Sequence, residues 1–305
     1  MIRAFSDDDL DPAAALLEKR HRRHLRAEPL LPAAVDYRAE VEALWRAEGA
    51  SGVSADGGFL IGFTSRSEQF WGPNVWIENA GHAASDPELV RDLYAEAAAG
   101  WVERGLKAHY VVVPASDHAL LDAWFRLGFG AQQAQGMREI PDVEWPESVR
   151  PATTSDLDQM VALEPVLREH QRVSPVFSGV PTQDADEVRG FILEELGSDR
   201  SANVVADLDG RLVGDFLVCP IELSPMHAGL ARPPGAALLD FAVTTPDVRG
   251  RGFGVALTDA CFAWAREHGY ETMVTDWRVT NLLSSRFWPK RGFRTSFLRL
   301  HRLIA

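Results

Sequence analysis

The sequence predicts an α/β (α+β) protein built as two tandem copies of one fold. Two observations predict it: an internal repeat that runs the length of the chain, and within each copy a mixture of short apolar runs and helical periodicities in about 150 residues. The length of 305 residues suits two domains.

The repeat begins at the N-terminal end of each copy. IRAFSDDDL at 2–10 matches VRPATTSDL at 149–157, offset 147; both read as a short strand, a turn and acids that cap a helix. DGGFLIG at 56–62 matches LDGRLVG at 208–214, offset 152, as the second arm of a hairpin after an Asp/Gly turn. WFRLGF at 124–129 matches WPKRGF at 288–293, and MREI at 137–140 matches HRLI at 301–304, both at offset 164. A growing offset means insertions in the second copy. The larger one falls between Gly214 and Asp240, around SPMHAGLARPPG. The join lies near PDVEWPES, 141–148, where two prolines discourage regular structure. The expected domains are therefore 1–144 and 145–305.

Composition bounds the function. Hydrophobic residues make up 46% and charged residues 25%, which excludes a disordered or fibrous chain. No apolar run approaches the ~18 residues of a membrane span, and MIRAFSDDDLDP has no apolar signal core. The two cysteines, Cys219 and Cys261, form no CxxC pair and support no disulfide framework. A cytoplasmic protein with no membrane partner is expected. The net charge of −13 argues against a general nucleic-acid binder and suits a cationic substrate. Three Lys against 28 Arg, with Ala-rich helices, suggest a GC-rich bacterial genome.

The most informative segment is 237–269. ALLDFAVTT reads as a strand ended by Pro246. The turn Arg249-Gly250-Arg251-Gly252-Phe253-Gly254 follows. From Val255 to His268 the positions Leu257, Cys261, Trp264 and Ala265 recur at helical spacing, and Gly269 reads as the C-cap. Glycines let backbone N–H groups approach an anion, the helix N-terminus adds positive potential, and Arg249 and Arg251 add charge. The segment is suited to a polyanionic phosphate group, although a tight turn can use such glycines for packing alone. A Walker A loop would need Gly-Lys-Ser/Thr. A dinucleotide loop would sit early in its domain with GxGxxG spacing.

Arg249-x-x-Gly252-x-Gly254 between strand and helix resembles motif A of the GCN5-related N-acetyltransferases (GNAT). A second signature follows at the family's spacing: Asn281, then Trp288, Gly292 and Phe293. The resemblance covers 149–304 and extends through the repeat to 1–140. It implies two GNAT-like domains, each a mixed, mostly antiparallel central sheet flanked by helices. It further implies acetyl-coenzyme A as co-substrate, no metal, and a small-molecule or peptide amine as acceptor, in a monomer or homodimer. The implied cofactor-binding set is Phe241, Ala242, Val243, Arg249, Gly250, Arg251, Gly252, Phe253, Gly254, Val255, Asn281, Ser284, Phe287 and Trp288. The first copy has Ser85, Glu88 and Val90 in place of Arg249, Gly252 and Gly254, and Asp117 in place of Asn281. It is expected to hold no cofactor.

The expected reaction is N-acetyl transfer to a primary amine by direct attack, in the C-terminal copy. The attacking amine must lose a proton, and the oxyanion needs a backbone donor, expected in Phe241–Val243. Asp240 ranks first as base because it interrupts an apolar strand; a neighbouring backbone group or Arg would satisfy the same carboxylate. Asp276 is second, then Glu222 and His227. The family usually has Tyr where Trp288 stands, and that Tyr protonates the departing thiolate. An indole N–H donates hydrogen bonds but is no usable acid. Ser284 or Ser285 would have to help instead, and Trp288 reads as packing. Substrate-contacting elements are expected in 165–190, with Asp184, Asp186 and Glu187, and in 219–236. His21 and His24 read as a solvated helix face, and Cys261 as core. The alternatives are a non-catalytic acyl-coenzyme A sensor or interaction protein, and an acyltransferase with a longer acyl donor.

Overall fold

The structure is a computed structural model and describes residues 1–64, 71–178, 183–224 and 226–305. Parts of both expected substrate segments, 179–182 and Pro225, lie outside the described residues. The chain divides into two compact units. One comprises Met1–Gln135, Ala228–Pro233 and Thr295–Ala305; the other comprises Gly136–His227 and Pro234–Arg294. This division differs from the contiguous 1–144 and 145–305. The final strand of the second copy belongs to the first unit, and so do six residues of the inserted loop.

The first unit holds β1 (Arg3–Ala4), β2 (Ser51–Ala55), β3 (Gly58–Thr64), β4 (Asn74–Ile77), β5 (His82–Ala84), β6 (Ala108–Pro114) and most of β13 (Arg294–Leu303). The order is β1-β2-β3-β4-β6-β13, with β5 also on β3. Neighbours are antiparallel except β4 and β6. Alternation along β3 sorts its side chains by face. Phe59 and Ile61 pack with Leu10 and Leu17 of α1 (Leu10–Ala27) and Val41 of α2 (Tyr37–Trp45). Leu60 packs with Leu93 and Trp101 of α3 (Pro87–Glu103) and Trp124 of α4 (His118–Phe125).

The second unit holds β8 (Val149–Pro151), β9 (Ala202–Leu208), β10 (Arg211–Pro220), β11 (Ala236–Thr244) and β12 (Thr272–Arg278), in the order β8-β9-β10-β11-β12. Gly136–Glu139, the end of β7 (Gly130–Glu139), also belongs to it. All pairs are antiparallel except β11 and β12. Helices α5 (Leu157–Arg172) and α6 (Ala185–Leu196) cover one face through Met160, Leu163, Val188 and Ile192. Helix α7 (Phe253–Glu267) buries Leu257, Cys261 and Phe262, and α8 (Ser284–Lys290) follows β12.

The repeat is visible atom by atom. Arg3 grips Asp9 with two hydrogen bonds of 2.6 and 2.5 Å, and Arg150 grips Asp156 with two of 2.7 and 2.8 Å. The same carboxylates accept the N–H of Ser6 at 2.9 Å and of Thr153 at 2.8 Å. The hairpin turns are Asp56-Gly57 and Asp209-Gly210, offset 153, one more than the sequence match.

His21 and His24 are a correction. They do not form a solvated face: with Arg20 they are buried, while Arg22 and Arg23 point outward. Helix α1 lies over β3 and β5, and its inward stripe carries these polar residues.

Candidate functional site

In the second unit the site begins with a fault in strand pairing. Along β10 and β11, Leu217 opposes Phe241 but Val218 opposes Leu239, so Asp240 is the extra residue of a bulge. On its other side β11 pairs with β12 only from Ala236↔Thr272 to Leu239↔Thr275. Beyond that point no strand among the described residues pairs with β11 on the β12 side. Its backbone groups from Asp240 onward have no ladder partner there. Those backbone groups of Phe241–Val243 that face away from β10 are therefore open on this side.

Asp240 and Asp276 are the first residues past the last paired position. Asp240 opens to solvent but is set among packed groups. That burial pushes its carboxyl above the usual range, and Asp276 adds to the push. Glu195 on α6 is raised as well, by burial and then by Asp240, against a 3.3 Å hydrogen bond from Asn203. Cys219 on β10 is pushed up to about 12 by burial, with Asp240 and Glu195 contributing, so it is no thiolate nucleophile. Cys261 is fully buried and its thiol is likewise raised by burial. In the inserted loop, buried His227 lies with Nε2 3.8 Å from Asp276 Oδ2. Glu222 is exposed.

At its far end β11 leads through the turn Pro246–Val248 into the glycine loop. Gly250 and Gly252 take φ of +78° and +94°, a region costly for any residue with a Cβ. A Cβ on either would meet no protein atom within 4 Å, so conformation and outside access, not internal packing, require glycine here. The amides of Gly250, Gly252, Phe253 and Gly254 have no backbone acceptor among the described residues. Arg249 and Arg251 are exposed and have no ion-pair partner among the described residues. Arg251 lies over the Phe253 ring at 5.8 Å. A helix start with free amides and two uncommitted guanidinium groups fits a pyrophosphate. Phe287 of α8 flanks this helix start, its ring 3.6 Å from where a Cβ on Gly254 would lie. Val255 is exposed on the first turn.

Of the second-signature residues, Asn281, Trp288 and Phe293 are buried. Asn281 is buried and caps α8: its Oδ1 accepts from Leu283 N at 3.1 Å and also lies 3.2 Å from His170 Nε2. His170, from α5, escaped the sequence reading because no local pattern marks it. Ser285 donates to the Asn281 carbonyl at 2.6 Å, so its proton is committed to the helix start. The Ser284 hydroxyl is buried without a partner. Trp288 is 4% exposed and packs against Phe216, Phe287 and Phe293. Asp184 caps α6, and Asp184, Asp186 and Glu187 are exposed.

In the first unit the same places are filled. Pairing of β4 with β6 stops at Ile77↔Val111, the counterpart of Leu239↔Thr275. Glu78 and Val112 then stand where Asp240 and Asp276 do. Burial raises Glu78 to about 7. The gap beside β6 is bridged: His82 Nε2 lies 3.0 Å from the Val112 carbonyl, and Arg20 donates to the His82 carbonyl at 2.5 Å. Helix α3 starts without a loop, and the Asp86 carboxylate accepts its Glu88 N–H at 3.0 Å. Glu88 is tied to Arg91 and Arg126. The unit thus supplies its own anion to the helix end that would face a phosphate. Asp117 caps α4 as Asn281 caps α8, through Leu120 N at 3.2 Å.

Residues 164–293 match the model of the acetyltransferase (GNAT) family. The fold of the whole chain is that of GNAT proteins with two such domains. It is similar to a GCN5-related N-acetyltransferase from Sphaerobacter thermophilus, at 15% identity and TM-score 0.62, over 99% of this chain and 95% of that one. It is also similar to a tandem GNAT protein from the clavulanic acid biosynthesis pathway, at 15% identity and TM-score 0.51, over 99% and 98%. A GNAT-related glucosamine N-acetyltransferase region of a fungal multi-domain β-N-acetylglucosaminidase superposes at TM-score 0.56 and 15% identity, over 99% of this chain and 38% of that one. No curated protein matches the sequence. A GNAT domain supports acyl transfer from an acyl-coenzyme A. No group of three or more metal-ligating side chains occurs among the described residues, and none of their helices is long and apolar enough to cross a membrane.

Proposed function

We propose that the chain is an N-acetyltransferase that moves acetyl from acetyl-coenzyme A to a primary amine by direct attack, with its active site in the second unit. The observation that carries this reading is the end of β11–β12 pairing at Asp240 and Asp276, on the strand that leads into the free amides of Gly250–Gly254. One end of that strand suits an anion, and the other suits an ammonium group.

In this reading Arg249, Arg251 and the loop amides hold the pyrophosphate, and the backbone at Phe241–Val243 receives the oxyanion. Phe253, Val255 and Phe287 flank the cofactor. Asp240 takes the proton of the incoming amine. The freed amine nitrogen bonds to the acetyl carbon and gives its second proton to solvent, the C–S bond breaks, and the sulfur leaves with the electron pair and is protonated by solvent, directly or through the Ser284 hydroxyl, which takes a proton back from solvent. The raised proton affinity of Asp240 favours the transfer, since a base works best when its pKa nears the working pH. The neighbouring carboxylates of Asp240, Asp276 and Glu195 favour a cationic acceptor.

Release of free thiol from acetyl-coenzyme A with a panel of primary amines tests the reading. Turnover lost in Asp240→Asn, with acetyl-coenzyme A affinity kept, supports it; no turnover with any amine overturns it. The burial of Trp288 where the family has Tyr favours a second reading, a non-catalytic acyl-coenzyme A sensor. That reading predicts tight cofactor binding without thiol release.

A further inference from the structure

We propose that His227 is a positioning residue, brought by the inserted loop of the second copy to hold Asp276 ionised beside Asp240. The inference deepens the acetyltransferase reading and rests on it for its kinetic consequences.

The loop ties the imidazole down from one side. Ser224 Oγ accepts the N–H of Met226 at 3.3 Å and lies 3.0 Å from His227 Nδ1. With an oxygen lone pair used by Met226, the hydroxyl proton is free to go to Nδ1. That leaves the ring proton on Nε2, the atom that faces Asp276 Oδ2 at 3.8 Å. The distance is an ion-pair contact, longer than a hydrogen bond, and contacts of this kind tighten when substrate binds. Ser224 and His227 are 8% and 3% exposed, whereas the Asp276 side chain is 36% exposed, so a buried pair faces a carboxylate that reaches solvent. The first copy lacks the whole arrangement: Val112 stands at the position of Asp276.

The proton balance gives the consequence. Asp240 must accept the proton of the amine, and an ionised Asp276 beside it strengthens its hold on that proton. A donor on Asp276 keeps Asp276 from taking the proton itself. The other groups at this place are Glu195 from α6, Cys219 from β10, and Glu222 and Arg200 from the flanking turns. The acids among them all oppose further ionisation, and the His227 contact adds to the burial of Asp240 in keeping the two adjacent carboxylates distinct.

The test is the acid limb of the kcat/KM–pH profile of the full chain with one amine. His227→Ala should move the limb upward by about one pH unit, a tenfold change in proton affinity, because the pair then takes up its first proton earlier. His227→Gln, which keeps an N–H donor, should restore most of the shift. Asp276→Asn should move the limb downward, and adding His227→Ala to it should move it no further. An unmoved limb in His227→Ala, or a loss of rate that is the same in both backgrounds, overturns the proposal. A second measurement needs no turnover. In nitrogen-15 spectra of the histidines, His227 should carry its proton on Nε2, and that signal should respond to Asp276→Asn. No response overturns the pairing. If no amine is acetylated, the acetyltransferase reading fails, and this spectrum still decides whether His227 and Asp276 are coupled.

Discussion

Asp240 and Asp276 occupy the same step of a parallel strand pair, one residue beyond Leu239 and Thr275, where β11 and β12 stop pairing. Neighbouring carboxylates in a partly desolvated place cannot ionise with equal ease, and Asp240 carries the cost. Asp240→Asn should lower kcat/KM by roughly 10²–10⁴-fold, the usual contribution of a positioned base. Acetyl-coenzyme A affinity, measured by calorimetry, should stay within a factor of two or so, on the order of the ±0.5 kcal/mol of a change remote from the phosphate contacts. A parallel loss of both would place Asp240 in cofactor binding.

Cofactor should bind once per chain. Arg249→Glu replaces a free guanidinium with a carboxylate at the helix start and should weaken acetyl-coenzyme A by at least about tenfold. Glu88→Ala should leave affinity unchanged, because Glu88 is held by Arg91 and Arg126 at a helix already capped by Asp86. Calorimetry that gives two sites per chain would contradict the closed first unit.

The missing acid can be restored. Trp288→Tyr should raise turnover by up to roughly thirtyfold if departure of the thiolate limits the rate, since protonating a thiol of pKa ~8.5 at pH 7 is worth about 2 kcal/mol. The smaller ring leaves space among Phe216, Phe287 and Phe293, at a cost on the order of 1 kcal/mol of stability. The two serines separate cleanly. Ser284→Ala should slow turnover if its unpartnered hydroxyl serves the leaving group. Ser285→Ala should instead weaken the start of α8, whose Asn281 carbonyl it holds.

Acid should loosen the two units by the same device. Asp9 and Asp156 lie at about 2 in the folded chain against 3.8 ordinarily, held down first by Arg3 and Arg150. Folded values below unfolded ones mean that the stabilisation is present above about pH 4 and is lost as pH falls toward 2. The exposure of each arginine to solvent screens its pair and keeps the contribution modest. Asp9→Asn and Asp156→Asn should each lower the melting temperature at pH 7, and the gap from the parent chain should close near pH 2–3.

Asp215 has the opposite sign. It is buried on β10, 3.5 Å from Asn203 Nδ2, and burial raises it to about 7. The neutral acid is the form the fold favours, so stability is full below about pH 4 and falls as pH rises through 7. Asp215→Asn should raise the melting temperature at pH 8 and change it little at pH 4. A melting temperature lowered equally at both would show that the carboxylate is needed for packing.

Features that depend on neighbours in the chain were legible in the order of residues. Ser6 with Asp9, and Thr153 with Asp156, cap helices through groups three residues apart, so the repeat was readable as a pattern. Gly250 and Gly252 take backbone angles that glycine alone adopts freely, so the anion loop was readable too. Tertiary structure decided what depends on pairing at a distance. The meeting of Asp240 with Asp276 depends on where two strands part company, and no local spacing records that. His21 and His24 are inward because α1 lies over β3 and β5, although their spacing reads equally well as a wet face. The same holds for β13: a ten-residue strand matched in sequence to β7 pairs with β6 of the first copy, Leu303↔Ala108 to Phe297↔Pro114. Backbone hydrogen bonds carry no side-chain identity, so a strand's sequence fixes its two faces but not its partner.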